Sequence, residues 1–441
     1  MLSRKVASRC SRLALAVAVV AAVGLQPVAA EAQGTAWVGT WATAPVALPP
    51  ADGTPPARPG PAQMEIDGQT LRQIVRTSIG GAAVRVVITN VFGSQALEIG
   101  AAQVALRADG AALVSGTSRT LQFGGQPTTA VPPGDVAISD PVELDVPALG
   151  DLAVDLYLPG IPTSDPSGAT VHGTGLTTNY LSKAGNHAGA STLPVDRTFQ
   201  NWFYLSRVEV EAAAETPVIV ALGDSITDGT ASTPDTNSRW PDFLARRLIA
   251  RPGNAPPAVL NLGIAGNRVL SDNAGLAQLL GNANAPPANP NAQFGPAALK
   301  RFDRDVLSQP GVTHVIVLES TNDIGMAFES ETPTVEEIVA GHTELVERAH
   351  ARGLKIYGGT LAPFEGAFYF RPIGETKRQA FNEWMRTSGV YDGVIDFDAA
   401  VRDAAAPSKM VESYQSGDWL HPSDEGYRVM ARAVDLALFE D

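Results

Sequence analysis

Hydrophobic and polar residues follow two different patterns along the chain. Before residue 210, apolar positions form short alternating or β-branched runs, as at 84–92 and 151–159. Clusters rich in glycine, proline and aspartate separate these runs, and this spacing predicts a β-rich domain over 36–210, arranged as a sandwich or jelly roll. The proline- and glycine-rich segment 48–63 predicts an exposed loop.

After residue 216 the pattern changes. Short apolar runs lie at 218–222, 258–264, 313–320, 354–363 and 393–397. Segments with helical spacing lie between them, and strands that alternate with helices predict a parallel α/β sheet covered on both faces, over 216–441. The segment 211–217, EAAAETP, has the composition of a linker between the two predicted domains.

The clearest predicted helix begins after Thr334. Thr334 and Glu337 form a capping box, because each side chain can bind the backbone N–H of the other residue. Apolar residues then recur at helical spacing until Gly353, which predicts the end of the helix. His342 lies on the apolar face, and we interpret it as a packed helix histidine.

The N-terminus is typical of a secretory signal peptide. A basic stretch precedes an apolar run at 13–25, and small residues then offer cleavage after Ala30 or Ala32. We expect residues 1–32 to be removed on export, which predicts a secreted or periplasmic protein without stable membrane insertion. An uncleaved anchor is the alternative. The single cysteine, Cys10, would be lost with the signal, so the mature chain would have no disulfide and no thiol nucleophile.

Composition and charge narrow the function classes. The chain has 441 residues, of which 44% are hydrophobic and 18% charged, enough to bury a sizeable core. Its formal net charge of −14 argues against a nucleic-acid partner and against attraction to anionic membranes. His172, His187, His314 and His350 show no metal-ligand spacing, and we interpret them as structural or surface residues.

One polar turn follows the apolar run 218–222. In open parallel sheets, sites form beyond the C-terminal ends of strands, and Gly223 permits a tight turn at this end. Ser225 would then begin a helix or turn, with its hydroxyl and its backbone N–H on the same side. That placement suits a nucleophile and one donor of an oxyanion hole. A helix N-cap at Asp224 or Ser225 explains the same residues equally well.

Three other segments offer polar candidates. GIAGN contains Gly266, whose backbone N–H would be unobstructed, and STND contains Asn322, whose amide carries two donors. DWLH places Asp418 three residues before His421, so a carboxylate could orient an imidazole base. The respective alternatives are a simple turn, an Asx turn or helix cap, and a surface ion pair.

Together the four segments resemble the blocks of the GDSL-type, or SGNH, esterase and lipase superfamily, over roughly 216–440. The segments WVGTWATAP, LRQIVRTSIGG and FGGQP also resemble the β-rich domain that precedes some bacterial members. The resemblance implies a three-layer doubly wound sheet and a reaction that needs no metal and no organic cofactor.

The resemblance also implies roles for individual residues. Ser225 would be the nucleophile, His421 the general base and then acid, and Asp418 the group that orients His421. The Ser225 and Gly266 N–H groups and the Asn322 side chain would form the oxyanion hole. Asp224 would then stabilise the turn, and its replacement would affect stability or geometry more than chemistry.

One position departs from the pattern of the superfamily. The asparagine block usually reads G-x-N-D, and here Ser320 stands in the glycine position. Serine does not readily enter backbone regions that favour glycine. Either this turn does not need such a conformation, or the loop that carries Asn322 is slightly shifted.

The sequence therefore predicts an exported serine hydrolase that cleaves carboxylic esters through an acyl-enzyme, with short-acyl or acetyl esters favoured. Its partner would be a small-molecule or polymer-linked ester. An α/β-hydrolase with a nucleophile elbow is disfavoured because the chain contains no G-x-S-x-G pattern. The alternatives are a carbohydrate- or surface-binding protein with an inactive hydrolase domain, and a lipase or lysophospholipase for longer acyl chains.

Overall fold

A computed structural model of the chain describes residues 34–48, 66–160, 169–252, 255–272, 274, 289–327 and 330–440. Residues Thr35–Asp441 form one compact unit. The expected signal peptide and nearly all of the proline-rich segment 48–63 lie outside the described residues. Within the described part of the chain, no helix is both long enough and apolar enough to cross a membrane.

The N-terminal region is rich in strands. In chain order they are β1 (Thr35–Ala42), β2 (Val46–Ala47), β3 (Gln69–Arg76), β4 (Gly81–Thr89), β5 (Leu97–Ile99), β6 (Ala101–Leu106), β7 (Arg119–Thr120), β8 (Thr129–Val131), β9 (Val136–Ile138), β10 (Val142–Val146), β11 (Asp151–Leu158), β12 (Thr170–His172), β13 (Asn179–Ala184), β14 (Val195–Phe199), β15 (Trp202–Phe203) and β16 (Leu205–Ala213). Strands β4 and β11 confirm the two runs that the sequence pattern marked as strands.

These strands pair antiparallel in several sheets. One sheet has the order β1-β16-β4-β10, with β9 also paired to β4, and a second has the order β14-β13-β3-β11-β6-β7. A smaller sheet of β15, β12 and β2 carries His172 at the end of β12.

The C-terminal region contains the predicted parallel sheet. Its strands are β17 (Val218–Gly223), β18 (Ala258–Gly263), β19 (Val312–Leu318), β20 (Lys355–Gly359) and β21 (Gly393–Ile395), and a short hairpin of β22 (Arg402–Asp403) and β23 (Ala406–Met410) follows. The five parallel strands lie in the order β18-β17-β19-β20-β21. This order turns back at β17, as in doubly wound folds, and the C-terminal ends of β17, β18 and β19 meet at one edge. Every residue of β17 is buried.

Helices connect these strands. The α-helices are α1 (Ser225–Asp228), α2 (Trp240–Ile249), α3 (Ala298–Phe302), α4 (Thr321–Gly325), α5 (Val335–His350), α6 (Pro372–Thr387), α7 (Phe397–Val401) and α8 (Asp424–Ala433). A π-helical turn spans Asp303–Leu307, and 3-10 turns span Glu412–Tyr414 and Leu436–Phe439. Helix α5 confirms the predicted capping box, since Thr334 accepts from the Glu337 N–H and Glu337 accepts from the Thr334 N–H.

The two regions pack directly on each other. Strand β1 lies against β18, where a Cβ on Gly39 would come within 2.9 Å of the Leu260 side chain. The Val259 N–H donates to Ser78 Oγ at 3.1 Å, and one continuous hydrophobic core includes side chains from both regions. The linker prediction is wrong for residues 211–213, because they complete β16, and only 214–217 connect it to β17.

Candidate active site

Ser225 lies where β17 turns into α1. A Cβ on Gly223 would come within 2.1 Å of Thr227 Oγ1 and 2.6 Å of the Leu318 carbonyl oxygen, so the turn has room only for glycine. Asp224 is the N-cap of α1, and its Oδ1 accepts from the Ile226 N–H at 2.9 Å. The cap and the hydroxyl thus belong to neighbouring residues, which leaves the Ser225 side chain free of the capping role.

A chain of hydrogen bonds joins three of the predicted residues. His421 Nε2 lies 2.9 Å from Ser225 Oγ, and His421 Nδ1 lies 2.6 Å from Asp418 Oδ2. The other carboxylate oxygen of Asp418 accepts from the backbone N–H groups of Leu420 and His421, at 2.9 and 2.8 Å. The Asp418 carboxylate is therefore fixed by its own loop and directs one ring nitrogen of His421 toward the serine.

The same contacts set the ionisation of Asp418. Burial by itself would raise the pKa of Asp418, but the His421 side chain, its charge and the two backbone N–H donors outweigh burial. Together they hold the pKa of this carboxyl well below its ordinary value. Asp418 is consequently a carboxylate throughout the neutral range and faces a ring N–H of His421.

Gly266 occupies a position that requires glycine. Its φ is +79°, in the left-handed region, and an added Cβ would lie 2.1 Å from the ring of Phe294. The next residue, Asn267, holds the loop in place, because its side-chain amide donates to the carbonyl oxygens of Phe294 and Pro296 at 2.7 and 2.9 Å.

Asn322 lies in the first turn of α4. Its Nδ2 donates to the Asn267 carbonyl oxygen at 3.0 Å, which joins the asparagine and glycine loops. The hydroxyl of the buried Tyr369 donates to Asn322 Oδ1 at 3.3 Å and so fixes which end of the amide carries the nitrogen. One amide hydrogen of Asn322 remains uncommitted by these contacts.

Ser320 stands where the superfamily pattern has glycine, and the structure shows the conformation of this position. Its φ is +93°, so the turn does need the left-handed conformation, and the loop is not spared it by a shift. Ser320 Oγ lies 3.0 Å from His342 Nε2, and His342 Nδ1 lies 2.5 Å from the Tyr391 hydroxyl. Burial lowers the pKa of His342 to about 3, so the ring is neutral and serves as a hydrogen-bonding group inside the core.

The sequence pattern did not identify Arg301, although this residue connects three strand ends. Its buried guanidinium donates to the carbonyl oxygens of Leu262 and Gly223 at 2.8 and 3.1 Å, and to Glu319 at 3.3 Å. It also donates to Asn267 Oδ1 at 2.9 Å. Its segment, AALKRF, reads as an ordinary helix, and no local signal separates this arginine from a solvent-exposed one.

Three carboxyl groups are buried beneath the site. Burial raises the pKa of Asp224 to about 7, against the opposing effects of the Ile226 N–H, the charge of His421 and the Thr321 hydroxyl. Burial and the charge of Asp224 raise the pKa of Glu319 well above its ordinary value, and burial raises that of Asp323. Asp224 Oδ2 makes no regular hydrogen bond with the described residues, so Thr321 acts on it through proximity.

His172 is a buried residue, one of the two possibilities that the sequence left open for it, but no local pattern indicated its partner. Its Nε2 lies 3.0 Å from Oδ1 of Asp228, the last residue of α1. Its Nδ1 lies 2.8 Å from the Ala44 carbonyl oxygen, and Asp228 Oδ2 accepts from the Ala265 N–H at 3.0 Å. The β-rich region thus contacts the helix that carries Ser225.

Among the described residues, no three or more His, Cys, Asp and Glu side chains are grouped in a way that could hold a metal ion. His187 contacts a backbone carbonyl near the surface, His350 pairs with Asp392, and His314 is buried against Tyr357. None of these three histidines lies in the hydrogen-bond network of Ser225 described above.

Comparisons with known proteins found one family match and several similar solved structures. Residues 221–429 match the model of the GDSL-like Lipase/Acylhydrolase family. A GDSL-like lipase from Bacteroides thetaiotaomicron is 19% identical, covering 52% of this chain and 90% of its own, with a TM-score of 0.36. A catalytic mutant of an acetylxylan esterase from Geobacillus stearothermophilus is 19% identical, covering 49% of this chain and 91% of its own, with a TM-score of 0.35.

A search of curated proteins found no match. The family match includes all four segments that the sequence pattern singled out, from the strand before Ser225 to the helix after His421. Residues 221–429 are a GDSL-like lipase/acylhydrolase domain, and the chain is a carboxylic ester hydrolase.

Proposed function

We propose that Ser225 is the nucleophile of this ester hydrolase and that the reaction proceeds through an acyl-enzyme. The hydrogen-bond chain from Asp418 through His421 to Ser225 supports this proposal most directly. His421 takes the proton of the serine hydroxyl as Ser225 Oγ bonds to the ester carbonyl carbon. The Asp418 carboxylate stabilises the imidazolium that forms.

The negative charge on the former carbonyl oxygen needs hydrogen-bond donors. We assign this role to the backbone N–H groups of Ser225 and Gly266 and to Nδ2 of Asn322. Measured deletions of such donors in other enzymes cost about 3 kcal/mol of transition-state stabilisation each. The free amide hydrogen of Asn322 and the crowded glycine loop favour this assignment, because both donors are held before substrate arrives.

The cycle then closes without another reactant than water. The C–O bond of the tetrahedral intermediate breaks, and the alcohol leaves with the proton from His421. Water gives a proton to His421 and bonds to the acyl carbon, and Ser225 Oγ departs as the hydroxyl. The products are one carboxylic acid and one alcohol.

Hydrolysis of p-nitrophenyl acetate by the wild type and by Ser225→Ala tests the proposal. We expect the wild type to release p-nitrophenol and the variant to be inactive. If both are inert, the chain acts as a binding protein with an inactive hydrolase domain. If both are equally active, Ser225 is not the nucleophile.

We propose short-acyl or acetyl esters, free or linked to a polymer, as the substrate class. Phe368 is 65% exposed, and its ring lies 4.7 Å from that of the buried Tyr369, whose hydroxyl contacts Asn322, so one exposed aromatic ring lies near this part of the site. Such a ring suits the face of a sugar or aryl group. A series of p-nitrophenyl esters together with acetylated oligosaccharides tests this class, and an optimum at long acyl chains would indicate a lipase instead.

We further propose that residues 1–32 direct export, so that the mature chain is secreted or periplasmic and is not inserted in the membrane. The β-rich region 36–210 would be a sandwich or jelly roll that precedes a three-layer domain over 216–441. The acidic net charge supports the expectation of no nucleic-acid partner. Mass determination of the protein recovered from the export fraction tests the cleavage after Ala30 or Ala32.

A further inference from the structure

One carboxylate connects the nucleophile helix with the glycine loop and with the β-rich region. Asp228 ends the helix that Ser225 begins, and its Oδ2 accepts from the N–H of Ala265, the residue before Gly266. Its Oδ1 faces His172, which belongs to β12 of the N-terminal region. A shift of Asp228 would therefore move the peptide that precedes the proposed oxyanion donor.

The contacts of His172 leave it no freedom to act as a base. Its Nδ1 faces the Ala44 carbonyl oxygen, which can only accept, so Nδ1 carries a hydrogen. Its Nε2 lies 3.0 Å from Asp228 Oδ1. Both ring nitrogens are thus committed to fixed oxygens, and the side chain is only 3% exposed.

The packing around Asp228 leaves little room for adjustment. A Cβ on Gly263 would lie 2.3 Å from the Asp228 backbone nitrogen, so α1 rests directly on the end of β18. The Asn261 side chain donates to the Thr227 carbonyl oxygen at 2.7 Å and holds the same turn. The carboxylate is therefore held from the sheet side and from the β-rich side.

We infer that His172 is a positioning residue for the glycine loop, which acts through Asp228 to hold the Gly266 N–H where the oxyanion forms. This inference rests on the proposed function. It gives the β-rich region a role in catalysis, since that region supplies His172 and the carbonyl oxygen that orients it. Loss of the relay should slow the chemical step and leave substrate binding nearly unchanged, because the oxyanion exists only in the transition state.

The test compares alanine and asparagine at position 228 together with His172→Ala. We expect His172→Ala and Asp228→Ala each to lower kcat on p-nitrophenyl acetate by about 10- to 100-fold, with KM within about 3-fold, as for a misplaced catalytic group. Asp228→Asn should stay within about 3-fold of the wild type, because its amide can donate to a neutral His172 and accept from Ala265. The double alanine variant should be no slower than the slower single one.

The values of kcat are taken per serine that reacts with a fluorophosphonate, so a misfolded fraction does not count. His350→Ala is the matched control, since His350 Nε2 lies 2.9 Å from Asp392 Oδ2 in a surface pair of similar geometry. It should keep the kcat of the wild type. If His172→Ala yields no folded protein, the difference between Asp228→Asn and Asp228→Ala decides.

Wild-type kcat in Asp228→Ala would overturn the inference, as would an equal loss in Asp228→Asn and Asp228→Ala. A rise in KM without a change in kcat would also overturn it, because the relay would then serve binding. Inactivity of the wild type, or full activity of Ser225→Ala, would instead reject the proposed function itself.

Discussion

The structure contains two buried or half-buried histidine–aspartate pairs. One, His421–Asp418, lies at the sheet edge of the α/β region, and the other, His172–Asp228, lies where this region meets the β-rich region. The two pairs differ in the group that the second ring nitrogen of the histidine contacts. In the first, His421 faces a serine hydroxyl, and the His421 and Asp418 side chains are 13% and 49% exposed. In the second, His172 faces a backbone carbonyl oxygen, and the His172 and Asp228 side chains are 3% and 5% exposed. A hydroxyl can give its proton to the imidazole, whereas a carbonyl oxygen has no proton to give and can only accept a hydrogen bond from the ring.

The comparison separates the imidazole that we propose as the general base from a structural one. Both rings are oriented by a carboxylate at 2.6 to 3.0 Å, so the aspartate alone does not identify a base. Access and the partner of the other nitrogen decide, because a base needs a proton to take and room for substrate. His342, between Ser320 and Tyr391 in the core, belongs with the structural rings.

The largest effect should come from removing the ring of His421, the proposed general base. His421→Ala should lower kcat on p-nitrophenyl acetate by at least about 10⁴-fold, as expected when a serine loses its base. If His421→Ala lost no more activity than His172→Ala, the distinction between the two pairs would fail.

The buried carboxyl group of Asp224 affects how protein stability depends on pH, and its effect is opposite in sign to that of Asp418. The pKa of Asp224 is raised from 3.8 to about 7, so between these values the unfolded chain releases a proton that the folded protein keeps. Stability therefore falls as pH rises through this window. Asp224→Asn keeps the cap and removes the ionisation, so its stability relative to the wild type should rise by up to about 4 kcal/mol from pH 4 to pH 8.

Urea unfolding at several pH values measures this change. Asp418→Asn is the matched comparison, because the pKa of Asp418 is lowered in the folded protein. Ionised Asp418 therefore stabilises the fold at pH values above the ordinary pKa of aspartate, and this stabilisation is lost as pH falls through the folded pKa. Its stability relative to the wild type should therefore fall as pH rises from acid toward neutral. Parallel curves for wild type and Asp224→Asn would contradict the expectation for Asp224.

The structural ring His342 can be tested through its partner. Ser320→Ala keeps the left-handed backbone at φ +93° and loses the hydrogen bond to His342, so it should destabilise the protein by about 1–3 kcal/mol. Ser320→Gly loses the same bond but relieves a backbone cost of about 1–2 kcal/mol, so its stability should lie within about 1 kcal/mol of the wild type. Equal losses in both variants, measured by chemical unfolding, would show that the backbone is not strained.

The smallest effect should come from removing the hydrogen bond that orients the Asn322 side chain. Tyr369→Phe removes the hydroxyl that donates to Asn322 Oδ1 and should lower kcat by about 3- to 10-fold, the value of one neutral hydrogen bond. KM should change little. Tyr357→Phe is the control, since its buried hydroxyl donates to the Leu438 carbonyl oxygen elsewhere in the fold. A loss of kcat as large in the control would reject a specific role for Tyr369.

Local patterns carried much of the fold. The five parallel strands follow apolar runs, and the capping box at Thr334 marks the start of α5, because strand burial and helix capping depend on neighbouring residues. The same is true of Ser225, because the residues that form its turn are its neighbours in the sequence. Linker composition misled at 211–213, because alanine and glutamate also fit the half-buried end of a strand, and these residues pair with β1.

Ser320 marks where such reasoning stops. The sequence shows a serine at the glycine position, but its φ and its contact with His342 depend on a helix that begins fifteen residues later. Arg301 is a similar case, because its three strand-end partners lie in different segments. Side chains whose partners are distant in sequence leave no local pattern.

The sequence by itself determined the order of strands and helices, the turn that carries Ser225 and the three-residue spacing of Asp418 and His421, since each depends on residues close together in the chain. Only the tertiary structure decided which histidine meets a hydroxyl, and that His172 of the β-rich region meets Asp228. These contacts join segments 196 and 56 residues apart, and only the packing of the two regions in one core brings them together.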